Sequence, residues 1–265
     1  MRLQPGKIAI VTGGANGIGA GTAKMLASHG VTVLSFDWDE AENRALCASN
    51  PLIHAVTCNC ADYQDIRRCF ETAMEQFGGV DILVNNVGSF RDSSFLKESY
   101  ADAMSGFEEM VRSCAGSTYA FTQLAAPIMA ARGEGAIINV LTNHVHRDIC
   151  RVSAAEHAYD AAKYAQLSLN MSMAAELRPH GIRVNAVDPA STDTKMLRDF
   201  FSARGIALSA ESIGRMTGTV SLLTAEEVGM AICNLIRWED PAPVGKNYLL
   251  QFREDCERLN PPCEV

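Results

Sequence analysis

Positive charge is scarce in this 265-residue sequence: 23 Lys and Arg stand against 31 Asp and Glu, a formal net charge of -8. Nucleic acids and anionic membranes are bound by clustered cations that displace counterions, so neither is expected as a main partner. Long apolar runs are also missing. The amino terminus, Met1-Arg2-Leu3-Gln4-Pro5-Gly6-Lys7, enters a short apolar strand without the stretch that a signal peptide or a membrane span requires. No internal repeat, low-complexity tract or linker breaks the chain, which argues for one domain spanning residues 1–265. The nine cysteines are odd in number and scattered, so no disulfide framework is expected and a reducing cytoplasm is the expected setting. Cys58 and Cys60 stand too close for a CxxC hook, and no second Cys or His pair has zinc spacing; no metal is expected.

What is present is enough apolar material, 48% of residues, for a buried sheet. Runs rich in Val and Ile at 7–12, 31–36, 53–58, 81–85, 136–141, 182–187 and 246–250 read as strands. Segments of helical period at 18–29, 65–77, 107–131, 159–178 and 225–237 lie between or beside them. Strands alternating with helices predict an α/β fold, a doubly wound parallel sheet of the Rossmann type with about seven strands. The longest stretch read as irregular, 191–223, follows the carboxyl end of a strand, where open α/β sheets bind ligands, and is expected to be a substrate lid.

The first strand runs into Thr12-Gly13-Gly14-Ala15-Asn16-Gly17-Ile18-Gly19 and a helix follows at once. Gly13 makes the tight turn, Gly17 admits a pyrophosphate to the backbone, and Gly19 lets helix and strand pack closely. With Asn16 and Ile18 these residues are assigned to a dinucleotide. The second strand ends on Asp37, placed to accept from ribose hydroxyls and to repel a 2′-phosphate, which favours NAD over NADP; the alternative is a helix cap. At the end of the third strand, Asn59 and Cys60 stand where adenine would lie, although Asn59 also fits a plain turn.

Tyr159 and Lys163, four apart on a helix, share one face, and an ammonium beside a phenol lowers its pKa and fits it to exchange a proton with an alcohol or carbonyl. Taken with the glycine turn, the run Asn85-Asn86-Val87-Gly88 and the run Pro189 to Thr194, this pair makes the sequence resemble the short-chain dehydrogenase/reductase family over nearly its whole length. The resemblance implies hydride transfer between nicotinamide and an alcohol or carbonyl carbon. It gives Lys163 a second role at the nicotinamide ribose, and it places Asn86, Gly88, Pro189, Thr192 and Thr194 at the cofactor. A homodimer or homotetramer is implied too.

The departures from the family pattern are specific. Thr142 stands where the family has a serine, with Asn143 or His146 as alternatives because the segment before Tyr159 is longer than usual. Ser113 replaces an asparagine that helps hold a relay water through Lys163, Ala190 replaces the glycine of Pro-Gly, and the tail 260–263 is unlike the family. For substrate, His144, His146, Arg147, Arg151 and Arg91 would select an anionic or strongly polar molecule if two or more face the pocket; otherwise they belong to solvated loops. Phe95, Met196, Leu197, Phe200 and Phe201 read as an apolar wall or as plain packing. The expected activity is an NAD-dependent oxidoreductase acting on a small polar or cyclic secondary alcohol or diol, and the alternative is a dinucleotide sensor of the same fold.

Overall fold

Short β-branched runs that must bury both faces pair side by side. In the computed structural model, which describes residues 1–146, 156–217, 221–238 and 245–259, they form one seven-stranded parallel sheet. The strands are β1 (Ile8–Thr12), β2 (Thr32–Asp37), β3 (Ile53–Thr57), β4 (Ile82–Asn85), β5 (Gly135–Val140), β6 (Ile182–Pro189) and β7 (Asn247–Leu250), in the spatial order β3-β2-β1-β4-β5-β6-β7. Parallel neighbours require crossovers, and helices supply them: α1 (Gly17–Ser28), α2 (Glu40–Ala48), α3 (Tyr63–Phe77), α4 (Tyr100–Val111), α5 (Ser117–Arg132) and α6 (His157–Leu177). After β6 come α7 (Lys195–Ser202), α8 (Ala210–Thr217) and α9 (Ala225–Arg237), and α10 (Arg253–Arg258) follows β7.

Successive strand residues point to opposite faces, and the apolar content divides accordingly. Ala9, Val11, Val33, Val84 and Ile138 pack with Leu26 of α1 and with Val228 and Ile232 of α9. Ile10, Leu34, Leu83 and Ile137 pack with Ile66 and Phe70 of α3 and with Phe121 and Met129 of α5. Because β1 has β2 on one side and β4 on the other, the order reverses there, and the crevice of an open α/β sheet lies over the carboxyl ends of those strands. A buried amide chain crosses this region: Asn85 Nδ2 donates to Asn139 Oδ1, and Asn139 Nδ2 to Asn170 Oδ1, each at 2.9 Å.

Several elements depart from the sequence expectation. The helix expected at 107–131 begins at Tyr100 and widens into a π-helical turn at Arg112–Gly116 before α5 starts. Inside that turn the Ser113 hydroxyl donates to Met110 O at 3.4 Å, a local bond of the kind that competes with the helical ladder. The stretch 191–223 is not irregular: it holds α7, α8 and a parallel bridge between Thr192 and Leu223. Met196, Leu197, Phe200 and Phe201, four of the five residues read as an apolar wall or as packing, sit on α7, which Thr194 caps by accepting from Leu197 N. The tail 260–263 lies outside the described residues.

α1 and α9 cross with almost no space between their backbones. A Cβ on Gly21 would lie 2.4 Å from Ala225 O, and one on Gly229 would lie 2.8 Å from the carbonyl carbon of Gly21. Gly21→Ala is therefore expected to destabilise the fold by about 1–3 kcal/mol, read as a lower urea midpoint; an unmoved midpoint would contradict the close crossing.

Candidate active site

The glycine turn is held from three sides. Gly13 N donates to Phe36 O at 2.7 Å, Thr12 Oγ1 accepts from Asn86 N and Val87 N at 3.0 and 3.1 Å, and Asn86 Nδ2 donates to Thr12 O and Gly13 O, both at 3.0 Å. Gly13 and Gly17 have φ of 62° and 52°, and a Cβ on Gly19 would sit 2.0 Å from Gly13 O. Asn16 precedes α1 without capping it through its side chain, whereas Asp39, Asp62, Ser99, Thr194 and Thr224 cap α2, α3, α4, α7 and α9. A helix start without a side-chain cap, set in a cradle that side chains would fill, fits the pyrophosphate of a dinucleotide. Ile18 and Thr194 border the same crevice, with the Thr194 methyl against Gly17.

Asp37 is buried at the end of β2; its Oδ2 accepts from Ala15 N and its Oδ1 from Asp39 N, both at 3.0 Å. It is not the cap of α2, a position that Asp39 fills. Asn59 stands in the turn after β3, where its Oδ1 accepts from Ala61 N at 3.1 Å. Cys60 turns inward to the core, its thiol directed at Cys58 O at 3.8 Å.

One helical turn separates Tyr159 from Lys163 on α6, and Lys163 Nζ lies 5.8 Å from the centre of the phenol ring. The ammonium is buried and donates to Val140 O at 3.0 Å; a Cβ on Gly88 would stand 3.5 Å from it, so Gly88 forms the floor beneath the lysine. Thr142, two residues past β5, lines the same cavity as Tyr159, and its hydroxyl acts to lower the phenol pKa. Burial, with Cys114 adding, pushes the phenol pKa up against the lowering bond from Thr142, and burial pushes the Lys163 ammonium down. The expected lowering of the phenol by the lysine is thus not what dominates here. Desolvation penalises each charged form and is the largest cause at both groups.

Ser113 faces Ser89, Oγ to Oγ at 2.7 Å. Ser89 was not foreseen; its signal was a hydroxyl directly after Asn86-Val87-Gly88. His146 does not stand in for Thr142, because its Nε2 is engaged 2.6 Å from Asp188 Oδ2, which also accepts from Asn247 Nδ2 at 2.6 Å. Asp188 is fully buried, its Oδ1 has no hydrogen-bond partner among the described residues, and burial raises its pKa against Asn247, His146 and Lys163. His144 is steered by α6: its Nδ1 lies 2.8 Å from Asp160 Oδ1 and 3.5 Å from Glu156 Oε2.

Above these groups opens a cavity of about 250 Å³. Thr142, Asn143, His144, Glu156 and Tyr159 form one wall, Phe90, Met196, Leu197, Phe200 and Phe201 the other, and Pro189, Ala190 and Thr192 the side next to β6. No Lys or Arg lines it among the described residues. Arg91 is paired with Glu98, Arg204 with Asp92 while stacking 3.6 Å over the Phe200 ring, and Arg147 and Arg151 lie outside the described residues. The described cations therefore give no anion site. Phe95 is exposed and stacks on His157 instead of lining the cavity.

Residues 7–205 match the family model for short chain dehydrogenases. The chain belongs to the short-chain dehydrogenase/reductase family. Among its relatives are the oxidoreductase UcpA of Escherichia coli K12, 33% identical over 91% of this chain and 85% of that protein, and momilactone A synthase of Oryza sativa, 33% identical over 74% and 70%. The sex determination protein tasselseed-2 of Zea mays is 34% identical over 72% of this chain, and the match takes in 57% of that longer relative. In three dimensions the chain superposes on a 3-ketoacyl-(acyl-carrier-protein) reductase from Brucella melitensis complexed with NADH, with a TM-score of 0.79, 25% identity and coverage of 93% and 97%. A short chain dehydrogenase/reductase family protein gives 0.78 at 27% identity, with coverage of 96% and 98%. This family member has no helix among its described residues long and apolar enough to cross a membrane.

Removing the imidazole from the His146–Asp188 pair should leave a buried carboxylate with less to hold it. His146→Ala is expected to cost on the order of 3 kcal/mol at neutral pH, measured by urea unfolding. Since the folded state holds the Asp188 proton more tightly than the unfolded state does, the deficit should shrink as pH falls through that raised folded-state pKa. A deficit constant with pH would oppose this reading.

Proposed function

We propose that this chain is an NAD-dependent dehydrogenase or carbonyl reductase acting on a small, uncharged secondary or cyclic alcohol, or on the matching ketone. The observation that carries the reading is that Thr142 and Tyr159 line one wall of the cavity, with Lys163 one helical turn from the tyrosine. Bound nicotinamide supplies the hydride acceptor or donor. Tyr159 takes the alcohol proton or returns it to the carbonyl, Thr142 donates to the same oxygen, and Lys163 holds the ribose side of the site. Ser113, joined to Ser89, takes the place of the asparagine in the proton route beyond Lys163.

Asp37 supports NAD over NADP, because its carboxylate sits against the glycine turn where a 2′-phosphate would be repelled. The neighbouring charges strengthen this, since Asp39 and Glu40 are acidic and Arg44 is paired with Glu40. The similar reductase complexed with NADH is consistent with that choice. The substrate is drawn as neutral because aromatic and aliphatic side chains of Phe90 and α7 face a wall whose charged members are Glu156 and His144. α7 acts as the lid. Self-association is part of the proposal: Met104 and Phe107 on α4, Tyr119 on α5 and Met171 on α6 are exposed apolar residues of the kind an interface covers.

The test is nicotinamide absorbance with NAD and NADP against a panel of neutral secondary alcohols, cyclic diols and hydroxy acids. Tyr159→Phe should lower kcat by about 10²–10⁴-fold with NAD affinity nearly unchanged. Binding of NAD without turnover across the whole panel would replace the dehydrogenase by a dinucleotide sensor. As burial raises the phenol pKa and the base form is the one that oxidises, kcat/KM for alcohol oxidation should climb with pH into the alkaline range, and reduction should fall. Asp37→Ala should weaken NAD relative to NADP; an unchanged ratio would remove the cofactor assignment.

A further inference from the structure

Away from the cavity, three side chains that suit a metal converge where β3 runs into α3. Cys58 follows the strand, and Asp65 and Cys69 sit one helical turn apart on α3; one ligand atom from each lies within 4.8 Å of the other two. Both thiols are buried. Cys69 Sγ is directed at Thr57 O at 3.3 Å and at Asp65 Oδ1 at 3.7 Å, so the helix already aims thiol and carboxylate toward the strand end. Asp65 is the partly exposed member: its Oδ2 accepts from Asn59 N at 2.7 Å, and its Oδ1 is paired with Arg68, an exposed side chain free to swing into solvent.

We propose that Cys58, Cys69 and Asp65 bind a soft divalent cation of the zinc class, with water in the fourth position. Two sulfurs and a carboxylate oxygen are donors that zinc accepts in tetrahedral sites. On binding, both thiols lose their protons to solvent, Asp65 Oδ1 exchanges Arg68 for the cation, and Oδ2 keeps the Asn59 N–H. No redox step is involved. The cation ties β3 to α3 across the turn at Asn59–Asp62, on the side of the crevice where the adenine end of a dinucleotide would lie, and shares no residue with the Tyr159 cavity. The sequence hid the site because Cys58 and Cys60 look like a failed CxxC hook, while the second pair is supplied at i, i+4 by a helix that turns a carboxylate and a thiol to one side.

The experiment titrates the full chain, kept reduced by a phosphine, with Co²⁺ alone and follows the thiolate-to-cobalt absorption. The wild type should saturate at about one equivalent per chain and lose the band to Zn²⁺, as a single thiolate site requires. Cys58→Ser combined with Cys69→Ser should abolish the band. Asp65→Asn keeps an acceptor for Asn59 N and disturbs no buried packing; it should weaken Co²⁺ by about tenfold or more with the circular dichroism unchanged. Any of three results overturns the proposal: no thiolate band near one equivalent, a band that survives the double serine variant, or undiminished affinity in Asp65→Asn.

Discussion

The Thr12 hydroxyl is the point on which the site depends. It is fully buried at the end of β1 and accepts the backbone N–H groups of Asn86 and Val87, while the Asn86 amide returns two bonds to Thr12 O and Gly13 O. Where the strand order reverses, β1 and β4 would otherwise diverge into separate loops. These bonds fasten one loop to the other, so the glycine turn and the Gly88 floor move as one body. With them loosened, Gly19 would no longer pack against Gly13 O, and Lys163 would lose the surface that sets its height.

Polar groups are buried along the same line from floor to edge. Asn85, Asn139 and Asn170 link β4, β5 and α6 by side-chain amides, and Lys163, Ser113 with Ser89, and Asp188 with His146 and Asn247 continue the polar seam toward β7. Each would be costly without its partner. Through Asn170 and Lys163 the seam ties α6, the helix that carries Tyr159, to β5.

The sheet was legible because strands buried on both faces leave short Val and Ile runs whose limits are set by the turns between them, and observed strand ends fall within two residues of the reading. Helices whose apolar face is narrow were harder: α2 buries Leu46 and α10 buries Cys256 as their one apolar residue each, and α7 shows helical spacing over only two turns. In the site, glycine turn, Tyr159 and Lys163 are read from local spacing. Asp188 and Asn247 could not be, because their meaning comes from partners far along the chain. The net effect on the phenol was also misread from spacing, since a lysine one turn away says nothing of how dry its surroundings are.

The contact between Gly21 and Gly229 sets the order in which the molecule can be completed. One layer of the core is roofed by α1 and α9 together, and these helices are separated by most of the chain. During synthesis, Ala9, Val11, Val33 and Val84 acquire their full cover only when residues 225–236 have left the ribosome. Until then one face of a parallel sheet stays open, and pairing of this long sequence separation closes slowly. The nascent protein is therefore most exposed to aggregation late in its own synthesis, on the face opposite α3 and α5.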